Sequence, residues 1–419
     1  MEKFVIEGGK PLKGEIKTSG SKNATLPILA ATLLTDGTCE IRNVPKLRDT
    51  LTMCKLLRSL GKTVEISSSK VTVSGCTNNH VADYKLVSTM RGSFCVLGPL
   101  LAKLGKARVS MPGGCVIGVR PIDLHMKGIS ALGVKSDFEA GYVIAHAPKL
   151  RGAQMYLGGT FGSSVLATAN VMMAASLAHG ETIIESAACE PEIEELGNFL
   201  SGMGAKIEGQ GTPRIRINGV RKLNGISYKM GSDRIEAGTF LLMAAAAKSD
   251  ILVKDAHYSH LLSLIDKLQM IGADVQRDGN DIRLRCKRTL RPANIVTHPH
   301  PGFPTDLQAQ YMALMAITPG VSIITDRVFP DRFMHIAELN RMGAAIRRDA
   351  GVAIVEGVKQ LYGAPVMASD LRASAALVIA GLVAQGKTEV HRIYHLDRGY
   401  EDLDGKLLNL GAKVYREKE

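Results

Sequence analysis

Leu60-Gly61-Lys62-Thr63-Val64 recurs five more times along the chain, as Leu132-Gly133-Val134-Lys135, Met203-Gly204-Ala205-Lys206-Ile207, Ile271-Gly272-Ala273-Asp274-Val275, Met342-Gly343-Ala344-Ala345-Ile346 and Leu410-Gly411-Ala412-Lys413-Val414. Successive glycines stand 72, 71, 68, 71 and 68 residues apart, a regularity that marks an internally repeated fold. An apolar residue followed by glycine is how a helix ends in a left-handed cap and hands the chain to a strand. Each phrase therefore predicts a helix stop with a strand behind it.

A second phrase precedes each mark by about 25 residues: an Ala-rich apolar helix running into a β-rich strand. Examples are Ala24 to Thr35 before Thr38-Cys39-Glu40-Ile41, Leu166 to His179 before Glu181-Thr182-Ile183-Ile184, and Ala373 to Gln385 before Thr388-Glu389-Val390. A strand also follows each mark, as Val71-Thr72-Val73, Tyr142-Val143-Ile144, Arg214-Ile215-Arg216-Ile217, Ile282-Arg283-Leu284 and Val352-Ala353-Ile354-Val355. The unit reads helix, strand, helix, strand, strand, an α/β (α+β) chain. The sixth unit ends at Glu419 without its last strand, and Phe4-Val5-Ile6-Glu7-Gly8-Gly9-Lys10-Pro11-Leu12-Lys13-Gly14 matches the missing piece. The N-terminal strands are therefore expected to complete the last repeat. Three units fall in one domain, residues 22–231, and three in the other, residues 1–21 plus 232–419.

Bulk properties agree with two domains, since 419 residues exceed one ordinary core. The longest apolar run, Ala373 to Gln385, falls short of the ~20 residues that cross a membrane. Met1-Glu2-Lys3-Phe4-Val5-Ile6-Glu7 is unlike a secretory signal, so a cytoplasmic protein is expected. Seven cysteines, an odd number with no C-x-x-C pair, fit reduced thiols better than disulfides or a zinc site. The net charge of +12 points to an anionic partner. Because the cations are scattered and aromatics make up only 5%, small anions are favoured over nucleic acid.

Polar residues collect where the six apolar helices begin: Lys22 and Asn23; Arg91; Ser163 and Ser164; Asp233, Arg234 and Glu236; Asp306; and Asp370 and Arg372. Ser, Asp and Asn cap helices, and a helix N-terminus favours phosphate and carboxylate. Lys22, Arg91 and Arg372 have the wrong sign for that end of the dipole, so an external anion is expected beside them. If the two domains face each other, these ends converge on one cleft. Met111-Pro112-Gly113-Gly114-Cys115-Val116-Ile117-Gly118-Val119-Arg120-Pro121 offers a thiol and a guanidinium on a glycine hinge that could cover such a cleft. Read alone, it is more readily a surface connector with an incidental cysteine. Gly381-Leu382-Val383-Ala384-Gln385-Gly386-Lys387-Thr388 matches the P-loop letter for letter, but it leaves a helix and enters a strand, the reverse of a working P-loop. His298 and His300 each precede a proline and lack a third ligand, so they read as loop residues rather than a metal site.

Gly20-Ser21-Lys22-Asn23-Ala24, Pro112 to His125, Phe303-Pro304-Thr305-Asp306-Leu307-Gln308-Ala309-Gln310, Asn340-Arg341-Met342-Gly343, Asp370-Leu371-Arg372-Ala373 and Asp397-Arg398-Gly399-Tyr400 closely resemble the UDP-N-acetylglucosamine 1-carboxyvinyltransferase family. The resemblance runs from Phe4 to Val414. It implies the enolpyruvyl transferase fold, two inside-out α/β-barrel domains of three βαβαββ repeats each. It also implies transfer of enolpyruvyl from phosphoenolpyruvate to the 3′-hydroxyl of UDP-N-acetylglucosamine, with loss of phosphate, as the first committed step of peptidoglycan synthesis. No metal or cofactor is implied.

By the same resemblance Lys22, Arg120 and Arg398 hold phosphoenolpyruvate, with Arg332 and Arg372 nearby, because a carboxylate and a phosphate must be matched by cations. Cys115 corresponds to the proton donor and to the residue that fosfomycin alkylates, among cations that would favour its thiolate. Asp306 corresponds to the carboxylate that receives the hydroxyl proton. Arg91, the run Arg120, Pro121, Ile122, Asp123 and Leu124, and Ser163, Ser164 and Val165 correspond to ligands of the uridine and diphosphate. Asn23, Asp306 and Val328 stand at the sugar end, and Asp370 joins the substrate-binding set. The family usually has glycine where this chain has Leu166, which puts a bulky side chain near the expected diphosphate. Domain closure and ordering of the loop on binding the sugar nucleotide are expected.

Two other readings fit parts of the sequence. The related shikimate 3-phosphate enzyme shares the repeats but lacks the cysteine loop. An RNA-binding or RNA phosphate cyclase-like protein would use the positive charge on a nucleic-acid backbone.

Overall fold

The computed structural model describes residues 2–112 and 122–419. Cys115, Arg120 and Pro121, and with them residues 113–121 of the flap expected from Met111 to Pro121, lie outside the described residues. The chain divides into two compact units, a first containing residues 20–112 and 122–231 and a second containing residues 2–19 and 232–419.

Each unit carries three four-stranded sheets, six in all among the described residues. The third repeat shows the pattern. Strand Gln154–Tyr156 runs parallel to Glu181–Glu185, which pairs antiparallel with Arg214–Asn218, itself antiparallel to Lys206–Glu208. The repeat thus begins with a short parallel strand that the helix-strand-helix-strand-strand reading lacked. Two or three residues give too little alternation to register as a strand, which is why only pairing reveals it.

The same short strand corrects the N-terminal expectation. Glu2–Glu7 does complete the sixth sheet, inserted antiparallel between Lys387–His391 and Lys413–Lys418. Lys13–Lys17 does not belong to that repeat. It lies parallel to Asp250–Lys254 and leads the fourth repeat instead. Ser227–Lys229 does the same for the first repeat, parallel to Cys39–Arg42.

The six apolar helices occupy the middle of the units, and the sheets with the more polar helices form the outside. Every residue of Arg234–Ala246 is buried, as are Arg372 to Leu382 of Leu371–Val383. A helix apolar on all faces has no solvent side and must be enclosed. Helix Arg48–Ser59, by contrast, buries Met53, Cys54, Leu56 and Leu57 and turns Lys55 and Arg58 to water. Each fully buried leucine contributes about 1.5–3 kcal/mol, so these central helices dominate stability.

At the six marks the backbone is left-handed, with φ between 87° at Gly411 and 107° at Gly272, as the helix-stop reading requires. Gly381 to Thr388 runs from helix Leu371–Val383 into strand Lys387–His391, the orientation that disqualifies a P-loop. Lys387 pairs with Glu389 at 2.9 Å. None of the described helices is long and apolar enough to cross a membrane.

Candidate active site

In the second unit, three helix starts bring their polar residues together. Asp306 lies in the 3-10 turn Thr305–Leu307 that opens helix Gln308–Met315. Arg332 Nη1 donates to Asp306 Oδ1 at 2.7 Å, while Arg372 reaches Oδ2 through Nη2 at 3.1 Å and Nε at 3.3 Å. One carboxylate therefore bridges two guanidiniums, and charge-assisted bonds of this kind fix geometry as well as adding attraction.

Asp370 caps the helix that carries Arg372, accepting from the backbone N–H groups of Arg372 at 2.7 Å and Ala373 at 3.1 Å. It also stands 3.9 Å from Arg332 Nη2. Burial works against the Arg332 charge, but Asp306 and Asp370 outweigh it and hold the guanidinium above its ordinary value. Burial likewise opposes ionisation of Asp370. The Arg332 charge and the two helix N–H groups prevail, keeping that carboxyl below its usual range.

Arg332 Nη1 also lies 3.4 Å from the hydroxyl of Thr305, which is itself held. Asp326 ends strand Gly320–Asp326 and accepts from the hydroxyls of Thr297 and Thr305, each at 2.7 Å, and from the N–H groups of Val328 and Phe329. Val328 is thus fixed through its backbone. Arg372 has a further neighbour in Tyr400, whose ring centroid lies 5.3 Å from the guanidinium. Arg398 closes the 3-10 turn Ile393–Arg398, two residues before Tyr400.

In the first unit, Ser21 caps helix Lys22–Ala31, placing Lys22 and Asn23 in its first turn. Lys22 Nζ is 3.2 Å from Asp49 Oδ2 in helix Arg48–Ser59, with both side chains less than a tenth exposed. Arg91 opens the 3-10 turn Arg91–Val96. Its charge acts on His125, whose Nδ1 is 2.9 Å from Asn170 Nδ2. Asn170 also donates to Phe94 O at 3.0 Å and accepts from Gly98 N at 2.8 Å. A Cβ at Gly98 would sit 2.2 Å from Asn170 O, so glycine is what allows the helices this close.

Ile122, Asp123 and Leu124 form the start of helix Asp123–Ala131. Ser164 caps helix Val165–Ala175 by accepting from Ala167 N at 3.3 Å, with Ser163 just before it. Leu166 is half-buried and packs on the core of its unit.

Two expectations change here. Arg372 and Lys22 were expected to await an external anion, yet each already faces a carboxylate of its own chain, Asp306 and Asp49. Sequence could not show this, because Asp49 looks like an ordinary first-turn acid in an amphipathic helix. Asp49, Asp326, Tyr400 and His125 were not singled out. His125 and Tyr400 did carry a signal, since each closes one of the motifs quoted for the family resemblance.

A family model described as EPSP synthase (3-phosphoshikimate 1-carboxyvinyltransferase) matches residues 6–407. The chain is 52% identical to the UDP-N-acetylglucosamine 1-carboxyvinyltransferase of Methylacidiphilum infernorum, over 99% of each chain. It is 54% identical to UDP-N-acetylglucosamine 1-carboxyvinyltransferase 2 of Carboxydothermus hydrogenoformans, again over 99% of each. Among solved structures, the enolpyruvyl transferase NikO of Streptomyces tendae superposes with a TM-score of 0.89 at 23% identity, covering 100% of this chain and 99% of that one. An EPSP synthase of Acinetobacter baumannii superposes with a TM-score of 0.76 at 19% identity, covering 100% of both. At those identities the two structures speak for the fold alone, the enolpyruvyl transferase fold, whereas the two sequence relatives place the chain within it. The chain belongs to the UDP-N-acetylglucosamine 1-carboxyvinyltransferase family.

Proposed function

We propose that this protein transfers the enolpyruvyl group of phosphoenolpyruvate to the 3′-hydroxyl of UDP-N-acetylglucosamine, releasing phosphate. The supporting observation is identity of more than half the residues, along nearly the whole chain, to relatives bearing that name. The shikimate 3-phosphate reading has weaker support, resting on a broad family model and on structures at 19% identity.

In the addition step the sugar oxygen bonds to C2 while C3 gains a proton and the hydroxyl loses one. In the elimination step the C2–O bond to phosphate breaks and C3 gives a proton back, restoring the double bond. Asp306 is the acceptor of the hydroxyl proton. Its two oxygens are oriented by the guanidiniums of Arg332 and Arg372, which fixes the carboxylate in one geometry. Cys115 is the proton donor to C3. Lys22, Arg120 and Arg398 bind the carboxylate and phosphate of phosphoenolpyruvate, with Arg332, Asp370 and Arg372 ordering that end. Arg91, Arg120, Pro121, Ile122, Asp123, Leu124, Ser163, Ser164 and Val165 bind the uridine and diphosphate, and Asn23 and Val328 the sugar.

Fosfomycin alkylates the Cys115 thiol on this reading. The enzyme works in the cytoplasm at the start of peptidoglycan synthesis, and so serves cell wall biogenesis, cell shape and division. The test is phosphate release from phosphoenolpyruvate with each acceptor. Turnover with UDP-N-acetylglucosamine is expected, and turnover only with shikimate 3-phosphate would overturn the proposal. Mass spectrometry after fosfomycin should show one adduct, at Cys115, that is absent from Cys115→Ser.

A further inference from the structure

We propose that Arg416, in the last strand of the chain, is a positioning residue for Arg398; the proposal rests on Arg398 being a ligand of phosphoenolpyruvate. Arg416 belongs to strand Lys413–Lys418. Its Nη2 donates to Asp397 Oδ1 at 2.8 Å and its Nη1 to Asp397 Oδ2 at 3.2 Å, a two-pronged pair with the residue just before Arg398. The same guanidinium reaches Asp404 through Nε at 3.0 Å and Nη2 at 3.1 Å. One rigid fork thus links three elements: the strand, the 3-10 turn Ile393–Arg398 and helix Leu403–Asn409. Lysine cannot reproduce this, because a point charge has no fork to match two carboxylates at once.

The other flank of Arg398 is tied as well. Tyr400 N donates to Leu396 O at 3.1 Å, and the Tyr400 hydroxyl is 3.0 Å from Thr239 Oγ1 and 3.1 Å from Gln310 Nε2, all in the buried core. Ile393 and Leu396 hold the inner side of the turn by burial. The backbone of Arg398 is therefore pinned one residue before it by Arg416 and two residues after it by the helix core. The Arg416 side chain is only 25% exposed, and its paired bonds to two carboxylates fix where the turn sits. A ligand for a small dianion must be placed closely, since a misplacement of about 1 Å can cost ~100-fold in rate.

The test uses Arg416→Met, Arg416→Lys and Asp397→Asn in the full chain, with steady-state kinetics for each substrate. Asp397→Asn weakens the link to the turn while Asp404 keeps its partner, which guards against a folding defect in Arg416→Met. The expected result is a loss of about 10-fold or more in kcat/KM for phosphoenolpyruvate in Arg416→Met and Asp397→Asn, and a smaller loss in Arg416→Lys. Affinity for UDP-N-acetylglucosamine should stay within about twofold, which a general loss of structure would not allow. Combined with Arg398→Lys, Arg416→Met should add little further loss, because both act through one group. Wild-type kcat/KM for phosphoenolpyruvate in Arg416→Met and Asp397→Asn, or losses that multiply with that of Arg398→Lys, would overturn the role of Arg416. Full activity in Arg398→Lys and Arg398→Ala would instead overturn the reading of Arg398, and the proposal with it.

Discussion

Arg372 Nη2 stands 3.1 Å from Asp306 Oδ2, and the Arg372 side chain is 1% exposed. A guanidinium that deep depends on its counter-charge, so Asp306→Ala should cost about 3–5 kcal/mol in urea unfolding by stranding a buried cation. Asp306→Asn keeps the shape but cannot accept the hydroxyl proton. It should lower kcat by about 100-fold or more, and a wild-type kcat in that variant would remove Asp306 as the base.

The Lys22–Asp49 pair separates structure from chemistry. Either Lys22→Met or Asp49→Asn alone leaves a buried group mismatched and should lower stability by about 3 kcal/mol. The double variant should regain most of that stability in a melt while turnover stays lost, because the ammonium is needed for the substrate. Recovered turnover in the double variant would show that Lys22 serves the fold alone.

His125 makes stability depend on acid. Burial, with the Arg91 charge added, pushes its imidazole down from the usual 6.5 to about 3. Between those values the unfolded chain binds a proton that the folded one refuses, so stability rises with pH there and is lost as pH falls below about 6.5. His335 is shifted in the same direction, by burial first. Replacing His125 with Gln should flatten the fall in urea stability between pH 6.5 and 5 by up to ~1.4 kcal/mol per pH unit. Parallel curves for the two proteins would contradict the assignment.

Leu166 packs on the core of its own unit from the first turn of helix Val165–Ala175. Leu166→Gly should therefore cost about 1–2 kcal/mol in stability, from helix propensity and lost burial. The affinity for UDP-N-acetylglucosamine, read by calorimetry, should change by less than about twofold. A tenfold gain would show that the leucine obstructs the diphosphate.

Much of the architecture was legible because it is periodic. Six apolar-Gly marks and six largely apolar helices survive any local ambiguity, and the left-handed glycines bear out the marks. Lys13–Lys17 was misassigned because strand pairing is a long-range choice: its partner is Asp250–Lys254, more than two hundred residues away. The other five leading strands escaped notice because two or three residues carry no readable alternation.

The candidate site divides in the same way. Asp306, Asp370 and Arg372 were visible as polar residues breaking an apolar pattern at helix starts. Their mutual contacts were not, nor was the pairing of Lys22 with Asp49 or of Arg416 with Asp397. The amino-acid sequence by itself determined the repeat, the buried helices and the family, since all three depend on residue type and spacing. Only the tertiary structure decided which charge neutralises which, because burial and the approach of residues distant along the chain set the partner and the strength of an ion pair.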